Sequence, residues 1–371
     1  MKVNGKDYRT IWIDRERGVL TVINQNKLPY RFEVMELHTI YDVCNAIKNM
    51  VVRGAGLIGV TAGFGMWIAA KTAPCGNIAD FNKWLSNSVE LLKNTRPTAV
   101  DLQWAVELQK KEIDKGVNIK EKILIAINTA SVIYEANILS CRKIGEYGKK
   151  IITAAAEKKT GKPVHILTHC NAGWLAFVDY GTALAPVYAA YDDGIPVHVW
   201  VDETRPRNQG SNLTAWELSM HGVPHSLIVD NAGGHIMQHG MVDMVITGAD
   251  RITRQGDIAN KIGTYLKAVA AKDNNIPFYV AAPSSSFDFA MTSGIDDIPI
   301  EERDGDEVRF ITGETLDGEI ETVRICRSET EIRNWAFDVT PARLVTKLIC
   351  EYGICSASEA DILSLFPGLK Q

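Results

Sequence analysis

The sequence lacks three features that mark whole classes of protein. The first residues, MKVNGKDYRT, contain no apolar segment of a secretory signal, and we expect no stretch long and apolar enough to span a membrane. The seven cysteines include no C-x-x-C pair, which argues against a disulfide framework or a zinc site. Basic residues are not in excess, since the net charge is -5, so we expect neither nucleic acid nor an anionic membrane as a partner. A cytoplasmic protein with reduced thiols is expected.

A glycine-rich segment near the N-terminus, VVRGAGLIGVTAG, matches the G-x-G-x-x-G spacing of a dinucleotide-binding turn. Such a turn requires a strand before the glycines and a second strand after the helix that they open. Here the sequence has helical patterns from Thr39 to about Gly161, without a strand-like run. We therefore interpret the segment as a helix start, at which Arg53 and the backbone N–H groups favour a phosphate monoester.

The pattern of apolar residues divides the chain into two predicted domains of an α/β protein. Residues 1–157 begin with alternating segments (TIWID, GVLTVINQ, YRFEVMEL) and continue with helical ones, which predicts a small antiparallel β meander plus a helical domain. In residues 158–371, short apolar runs alternate with helical segments, which predicts a C-terminal Rossmann-like domain with a parallel sheet. Its predicted strands are VHILTH, PVHVWVD, HSLIVD, MVDMVITG and IPFYVAAP. Ligands bind beyond the carboxyl ends of such strands.

Cys170 directly follows the first of these strands. A helix that begins between Asn171 and Trp174 would place unpaired N–H groups beside the sulfur and favour a thiolate. A free cysteine is equally often a small buried apolar residue, so its position alone leaves both interpretations open. The other six cysteines lie in or beside apolar segments and are expected to be structural.

Two further strand ends carry groups suited to sugar-phosphate chemistry. Asp250 follows the fourth strand, where a desolvated carboxyl group could act as a general acid or base. An N-cap, or an ion pair with Arg251 or Arg254, is the alternative for this carboxylate. Asn260 and Lys261 are predicted at a helix start, where main-chain donors and an ammonium group would bind an anion. The alternative for Lys261 is a solvated side chain in the first turn.

Segments in both halves of the chain resemble the methylthioribose-1-phosphate isomerase family, which is related to regulatory subunits of initiation factor 2B and to ribose-1,5-bisphosphate isomerase. They follow the family's order over nearly the whole chain: RGAGLIG, RPTA, THCNAG, YGTALAP, DETRPRNQGSNLTAWEL, GADRI, GDIANKIGTY, FYVAAPSSSFD, DIPIEER and FDVTPA. The resemblance implies isomerisation of a 5-substituted ribose 1-phosphate to the ribulose 1-phosphate in methionine salvage. It also implies a homodimer that requires no metal and no redox cofactor.

The same resemblance implies roles for individual residues. Cys170 and Asp250 are the implied catalytic pair, and Asp250 is the preferred acid for opening the sugar ring. The sequence does not decide which of the two is the acid, nor whether hydrogen moves as a hydride or through an enolate-like species. The residues implied to hold the substrate are Arg53, Gly54, Ala55, Arg96, Gln209, Asn260 and Lys261.

The chain departs from the family's usual residues at Gly56, Leu57, Asp101, Trp174 and Trp335. Because Asp101 and Trp174 lie next to site motifs, 5-deoxyribose 1-phosphate is an alternative substrate. The substitutions could equally only repack their neighbours. A non-catalytic regulatory subunit is the alternative from another functional class, but it would have no use for a thiol and a carboxyl group at nearby strand ends. A ribose-1,5-bisphosphate isomerase would need a second phosphate site.

Overall fold

The structure is a computed structural model that describes residues 1–14, 16–74, 76–96 and 99–369. Cys75 and the Pro97-Thr98 pair of the RPTA segment lie outside the described residues. Contacts divide the chain into two units, the first made of Met1–Cys141 and Gly173–Gly181, the second of Arg142–Ala172 and Thr182–Gln371. The domain boundary expected between residues 157 and 158 stays a prediction.

The first unit begins with short antiparallel strands. They are β1 (Lys2–Val3), β2 (Lys6–Asp7), β3 (Ile11–Asp14), β4 (Val19–Ile23) and β5 (Val34–Leu37). β1 pairs with β2, and β3, β4 and β5 form a three-stranded antiparallel sheet with β4 in the middle. Every residue of β4 is buried. The antiparallel meander predicted from the alternating segments is therefore observed.

Helices follow without an intervening strand among the described residues from 38 to 163. They are α1 (Ile40–Lys48), α2 (Ala55–Lys71), α3 (Ile78–Lys93), α4 (Val100–Ile113) and α5 (Ile119–Ala156). All residues of α2 except the first and the last are buried, as expected for a helix that is apolar on every side. The glycine-rich segment thus opens a helix that no strand precedes, and the interpretation against a dinucleotide-binding turn is confirmed.

Helix α5 corrects one expectation from the sequence. It has 38 residues and contains an 18-residue window with a mean hydropathy of 1.4, of which 22% is buried. The expectation that no segment reaches the length of a membrane span is therefore wrong for this helix. Length and composition are weak criteria by themselves, because helices of water-soluble proteins also meet them.

The second unit begins within α5, at Arg142, and contains the remaining α-helices and strands of the described residues. They are β6 (Val164–Thr168), α6 (Ala185–Asp192), β7 (Val197–Asp202), α7 (Ala215–His221), β8 (His225–Ile228), α8 (Ala232–Gln238), β9 (Met244–Thr247), β10 (Arg251–Thr253), β11 (Ile258–Lys261), α9 (Thr264–Asp273), β12 (Phe278–Ala281), β13 (Phe287–Asp288), α10 (Gly294–Asp297), α11 (Asp306–Arg309), β14 (Phe310–Glu314), β15 (Ile320–Arg324), β16 (Phe337–Thr340), β17 (Lys347–Cys350), β18 (Gly353–Cys355) and α12 (Glu359–Leu365).

A seven-stranded sheet forms the centre of this unit, with the order β18-β17-β12-β9-β6-β7-β8. All neighbours are parallel except β18, which runs antiparallel to β17 at one edge. The five strands predicted from the sequence are β6, β7, β8, β9 and β12, and all five lie in this sheet. The protein thus has a mixed α/β fold with helices and a large, mostly parallel sheet. Because the strands run in one direction, their carboxyl ends meet at one edge.

A smaller sheet lies beyond this edge and was not predicted. Its order is β13-β10-β11-β16; β10 and β16 each run antiparallel to β11, and β13 runs parallel to β10. β14 and β15 form a separate antiparallel hairpin. The strand β10 begins at Arg251, directly after Asp250, so the smaller sheet continues from the carboxyl end of β9.

Candidate functional site

Cys170 lies just beyond the carboxyl end of β6, in a backbone conformation that only a few residue types adopt readily. Its φ is 66°, which is the left-handed region. Its N–H donates to Oγ1 of Thr204 at 2.9 Å, and its carbonyl accepts from Oγ1 of Thr214 at 2.7 Å. Strained backbone that is held on both sides by side chains is typical of a functional position.

These contacts replace the helix expected next to Cys170. No α-helix begins between Asn171 and Trp174; the chain turns and forms only a short 3₁₀ segment, Trp174–Ala176, before α6. The prediction that a helix dipole activates the thiol is therefore wrong. Glycine at 173 and 181, and the close approach of their backbones, favours this compact turn over a helix.

Three other thiols show the behaviour expected of structural cysteines. Burial raises the pKa of Cys44 and of Cys350 to about 11, and that of Cys355 to about 12. These groups are therefore held as thiols at neutral pH and are poor nucleophiles. Cys170 is partly exposed and lies in the loop at the sheet edge.

Lys261 is a largely buried lysine of the second unit. The residue is 6% exposed, and its Nζ lies 4.7 Å from the centroid of the Phe337 ring. Among the described residues, Nζ makes no hydrogen bond and no ion pair within 4 Å. Burial lowers the pKa of this ammonium group, and Arg303 lowers it further, whereas the negative charges of Cys170, Asp250 and Glu307 raise it. A largely buried ammonium group that makes no hydrogen bond and no ion pair is suited to bind an anion.

The local structure around Lys261 differs from the prediction. Asn260 and Lys261 are the last residues of β11, which pairs with β16, and α9 begins only at Thr264. The prediction that they lie at a helix start is wrong, because the turn at Gly263, with φ of 102°, separates the strand from the helix. Asn260 is buried, and its Nδ2 donates to Oγ1 of Thr264 at 3.0 Å.

Asp250 and Gln209 are the other predicted site residues of this unit. Asp250 is exposed, so the desolvated carboxyl group expected from the sequence is not observed. Its N–H donates to the carbonyl of Ala259 at 2.9 Å, next to Asn260. The two arginines considered as its alternative partners pair elsewhere, Arg251 with Asp288 at 3.1 Å and Arg254 with Glu359 at 2.6 Å. Gln209 is buried, and its Oε1 has no hydrogen-bond partner in the described part of the chain.

Several polar residues of the same neighbourhood were missed from the sequence. Arg303 has its guanidinium carbon 5.6 Å from the Phe337 centroid, so two cations share one aromatic ring. Glu307 accepts from Arg207 at 3.0 Å and from Asn334 at 3.2 Å. Arg303 ends the segment DIPIEER, which carries the resemblance to the family. No sequence spacing predicts that Arg303 and Glu307 lie close to Lys261.

The first unit contains the remaining predicted site residues. Gly54 caps α2 with φ of 90° and no side-chain hydrogen bond, and Ala55 is the first helical residue. A Cβ at Gly54 would lie 2.6 Å from atoms of Ala176, so this position requires glycine. The exposed N–H groups of such a start suit an anion. Arg53 precedes this start, and Arg96 lies between α3 and α4; both are partly buried.

The departures from the family pattern have different surroundings. A Cβ at Gly56 would lie 2.3 Å from the ring of Phe177 and 2.6 Å from Nδ2 of Asn137, so Gly56 is matched to these neighbours. Asp101 packs against Gly59 of α2, and Trp174 is fully buried. Trp335 is 48% exposed and stacks with Arg333, 5.1 Å from guanidinium carbon to ring centroid. It is therefore a surface substitution.

One cluster has the residue types of a metal site. Ligand atoms of His169, Asp202 and Asp230 all lie within 4.8 Å of one another. The ammonium group of Lys267 lies 3.1 Å from Oδ2 of Asp202 and also donates to the carbonyl of Asp230. A lysine thus already supplies the positive charge that a metal ion would bring, and the cluster is better described as a buried ion network.

The chain is similar over nearly its full length to proteins named methylthioribose-1-phosphate isomerase. It is 54% identical to methylthioribose-1-phosphate isomerase of Desulfatibacillum aliphaticivorans over 371 residues, which is 99% of each chain. It is 51% identical to the protein of the same name of Methylorubrum populi over 367 residues, 99% of this chain and 98% of the other.

Solved structures agree with the fold. The chain matches 5-methylthioribose 1-phosphate isomerase from Pyrococcus horikoshii OT3 with a TM-score of 0.86 and 39% identity, over 98% of this chain and 97% of the other. It matches a protein described as translation initiation factor eIF-2B, subunit delta, from A. fulgidus with a TM-score of 0.82 and 38% identity, over 97% and 100%. The model of the initiation factor 2 subunit family matches residues 51–357. The chain therefore belongs to the initiation factor 2 subunit family and, within it, to the group of the methylthioribose-1-phosphate isomerases.

Proposed function

We propose that this protein is an aldose-ketose isomerase that converts 5-methylthioribose 1-phosphate to 5-methylthioribulose 1-phosphate. Relatives with this name share more than half of its residues over almost the whole length. A cytoplasmic homodimer that acts in methionine salvage is part of the proposal, and light scattering of the purified protein tests the dimer.

The observation that carries the proposal is the buried ammonium group of Lys261. Placing an ammonium group in a largely buried position without a hydrogen-bonded or ion-paired partner costs free energy, which a bound phosphate group would offset. The buried Oε1 of Gln209 has no partner among the described residues and is suited to accept from a sugar hydroxyl. The site therefore has unused capacity for both parts of a sugar phosphate.

Within the second unit we assign the phosphate group to Lys261. In the first unit, Arg53, Arg96 and the N–H groups at the start of α2, which include those of Gly54 and Ala55, are the substrate-binding residues that the resemblance implies. Guanidinium groups and helix starts are the common phosphate ligands of proteins. Gln209 and Asn260 are assigned to the hydroxyl groups. Cys170 and Asp250 are assigned to the reaction itself.

The chemistry explains why a thiol and a carboxyl group suffice. Phosphate on the anomeric oxygen prevents the sugar from opening to a free aldehyde, so ring opening needs an acid that protonates the ring oxygen. Asp250 gives this proton and the bond from C1 to the ring oxygen breaks. Hydrogen then moves from C2 to C1, and Cys170 as thiolate takes the proton of the C2 hydroxyl, which becomes the ketone. One proton is given and one is taken, so the reaction needs no external oxidant or reductant.

The test is to incubate purified protein with 5-methylthioribose 1-phosphate and, separately, with 5-deoxyribose 1-phosphate, and to follow ketose formation by NMR. The proposal predicts a higher kcat/KM for the methylthio sugar. A higher value for the deoxy sugar would assign the enzyme to that substrate, and no turnover of either by folded protein would contradict the isomerase function. Substrate deuterated at C2 also separates the two routes, because a hydride shift retains the label at C1 and an enolate route loses it to water.

A non-catalytic regulatory subunit is the second candidate, favoured by the likeness to the A. fulgidus protein. The structural likeness alone does not separate the two functions, since the TM-scores of 0.82 and 0.86 are similar. A regulatory subunit has no need for a buried ammonium group beside a strained cysteine. Absence of turnover with both sugars is the result that would favour it.

A further inference from the structure

His169, the residue before Cys170, has both ring nitrogens placed against acceptor oxygens. Nδ1 lies 2.9 Å from Oδ2 of Asp202, and Nε2 lies 2.8 Å from the carbonyl oxygen of Ile262. The ring is 1% exposed, and Gly263 makes room for it, because a Cβ there would lie 3.1 Å from Cε1 and Nε2.

These two bonds join three chain segments of the site. His169 follows β6 and is bonded to Cys170 through the backbone, Asp202 ends β7, and Ile262 directly follows Lys261. The β7 side also reaches Cys170 by a second route. Oγ1 of Thr204 donates to the carbonyl of Asp202 at 3.0 Å and accepts the N–H of Cys170 at 2.9 Å. The bond of Nδ1 to Asp202 therefore lies on the side of Cys170, and the bond of Nε2 to Ile262 lies on the side of Lys261.

The charges around the ring are arranged to hold it in place. Asp202 is fully buried, and its Oδ2 also forms an ion pair with Nζ of Lys267 at 3.1 Å. Oδ1 of Asp230 lies 4.0 Å from Nδ1 of His169. Asp338 accepts the N–H groups of Gly263 and Tyr265 at 2.7 and 3.1 Å, and burial raises the pKa of this carboxyl group while His169 and Lys267 lower it. Two basic side chains, His169 and Lys267, therefore face three carboxyl groups.

We infer that His169 is a positioning residue that sets the place of the Cys170 thiol through its δ nitrogen and that of the Lys261 ammonium through its ε nitrogen. The inference rests on the proposed function of these two residues, because only a reaction that uses both would require their relative position to be fixed. His169 itself does not touch the reacting atoms.

Two substitutions separate the two bonds. The side-chain amide of His169→Asn can occupy the place of Nδ1 and keep the bond to Asp202, whereas that of His169→Gln can occupy the place of Nε2 and keep the bond to Ile262. For His169→Asn we expect KM to rise roughly tenfold with the alkylation rate of Cys170 unchanged. For His169→Gln we expect kcat to fall roughly tenfold and the alkylation rate of Cys170 to change about threefold or more, with KM nearly unchanged.

The alkylation rate is measured with iodoacetamide, followed by peptide mapping of the Cys170 peptide, and needs no substrate. It therefore tests the positioning of Cys170 even if the protein turns over neither sugar, so failure of the proposed function and failure of this inference are distinguishable. The matched controls are His165→Asn and His165→Gln, on the same strand but at its other half, and they should change none of the three quantities.

A third variant keeps the inference testable if the His169 variants do not fold. Thr204→Val removes the oxygen that accepts the N–H of Cys170 but keeps the shape of the side chain. It should change the alkylation rate of Cys170 about threefold or more and leave KM within about twofold. Equal effects of both His169 substitutions on KM, kcat and alkylation, or an unchanged rate in Thr204→Val, would overturn the inference.

Discussion

Two segments of this chain were predicted as helix starts that bind an anion, and only one of them is a helix start. The segment at Gly54 and Ala55 in the first unit begins α2, with its N–H groups free of side-chain caps. The segment at Asn260 and Lys261 in the second unit ends a strand. In the first segment the groups available to an anion are backbone N–H groups. In the second segment the available group is the side chain of Lys261, which is largely buried.

If both segments bind phosphate, as proposed, they do so by different means, and a helix start is required at only one of them. In the proposed site Lys261 needs no helix dipole, because its ammonium group is largely buried and makes no ion pair within 4 Å with any residue that the structure describes. At Gly54 we propose the corresponding role for the backbone, since the residue has no side chain and its φ of 90° directs the chain into the helix. Substitutions of Lys261 test the ammonium group of one segment, and a substitution of Gly54 tests the backbone conformation of the other.

The largest effect is expected at Lys261. Lys261→Met removes the buried charge and should lower kcat/KM for 5-methylthioribose 1-phosphate roughly 100- to 1000-fold, since truncating one partner of a buried charge pair costs about 2 to 5 kcal/mol. Lys261→Arg keeps the charge and should retain more activity than Lys261→Met. Equal losses in the two variants would mean that shape, and not charge, matters at this position.

At Gly54 the effect is expected on folding as well as on binding. Gly54→Ala places a Cβ 2.6 Å from Ala176 at a φ of 90°, which should lower the free energy of unfolding by about 2 to 3 kcal/mol. Gly76→Ala is the control, since a Cβ there has nothing within 4 Å. Urea unfolding of both variants measures the difference, and the same stability for both would contradict the described helix start.

A dependence on pH follows from the lowered pKa of Lys261. If the ammonium form binds phosphate, as proposed, kcat/KM should fall as pH rises through this pKa, which burial places below the ordinary value of 10.5. We expect a loss of about tenfold for each pH unit above it, measured between pH 7.5 and 10.5. In Lys261→Arg this loss should move to higher pH, because the guanidinium group stays charged.

The sequence predicted the elements that have a periodic or continuous apolar pattern. It missed the segments that are fixed by contacts with distant parts of the chain. The continuous apolar runs of β6 and β9 and the buried helix α2 were recognised, because burial on all sides leaves a signal in the residues themselves. The turn after Cys170 was predicted as a helix, since the hydroxyl groups of Thr204 and Thr214 that fix it come from distant parts of the chain. Likewise, no local sequence pattern predicts the bonds of His169 to Asp202 and Ile262, because both partners are distant in the chain.

The smallest effect is expected at Trp335, which departs from the family pattern but lies on the surface. Trp335→Ala removes the stacking on Arg333 and should cost about 0.5 kcal/mol of stability, the usual value for an exposed cation-π contact. KM and kcat should not change, which steady-state kinetics of both proteins would establish. A changed substrate preference would assign this position to the specificity of the enzyme.

The most direct test of the central claim, that the strand-end site with Cys170 carries out the isomerisation, is a time course of ketose formation by NMR with the wild-type protein and with Cys170→Ser. The account predicts that the wild-type protein converts 5-methylthioribose 1-phosphate, and that Cys170→Ser binds this sugar with nearly the same Kd but does not convert it at a comparable rate. Full activity of Cys170→Ser would contradict the account.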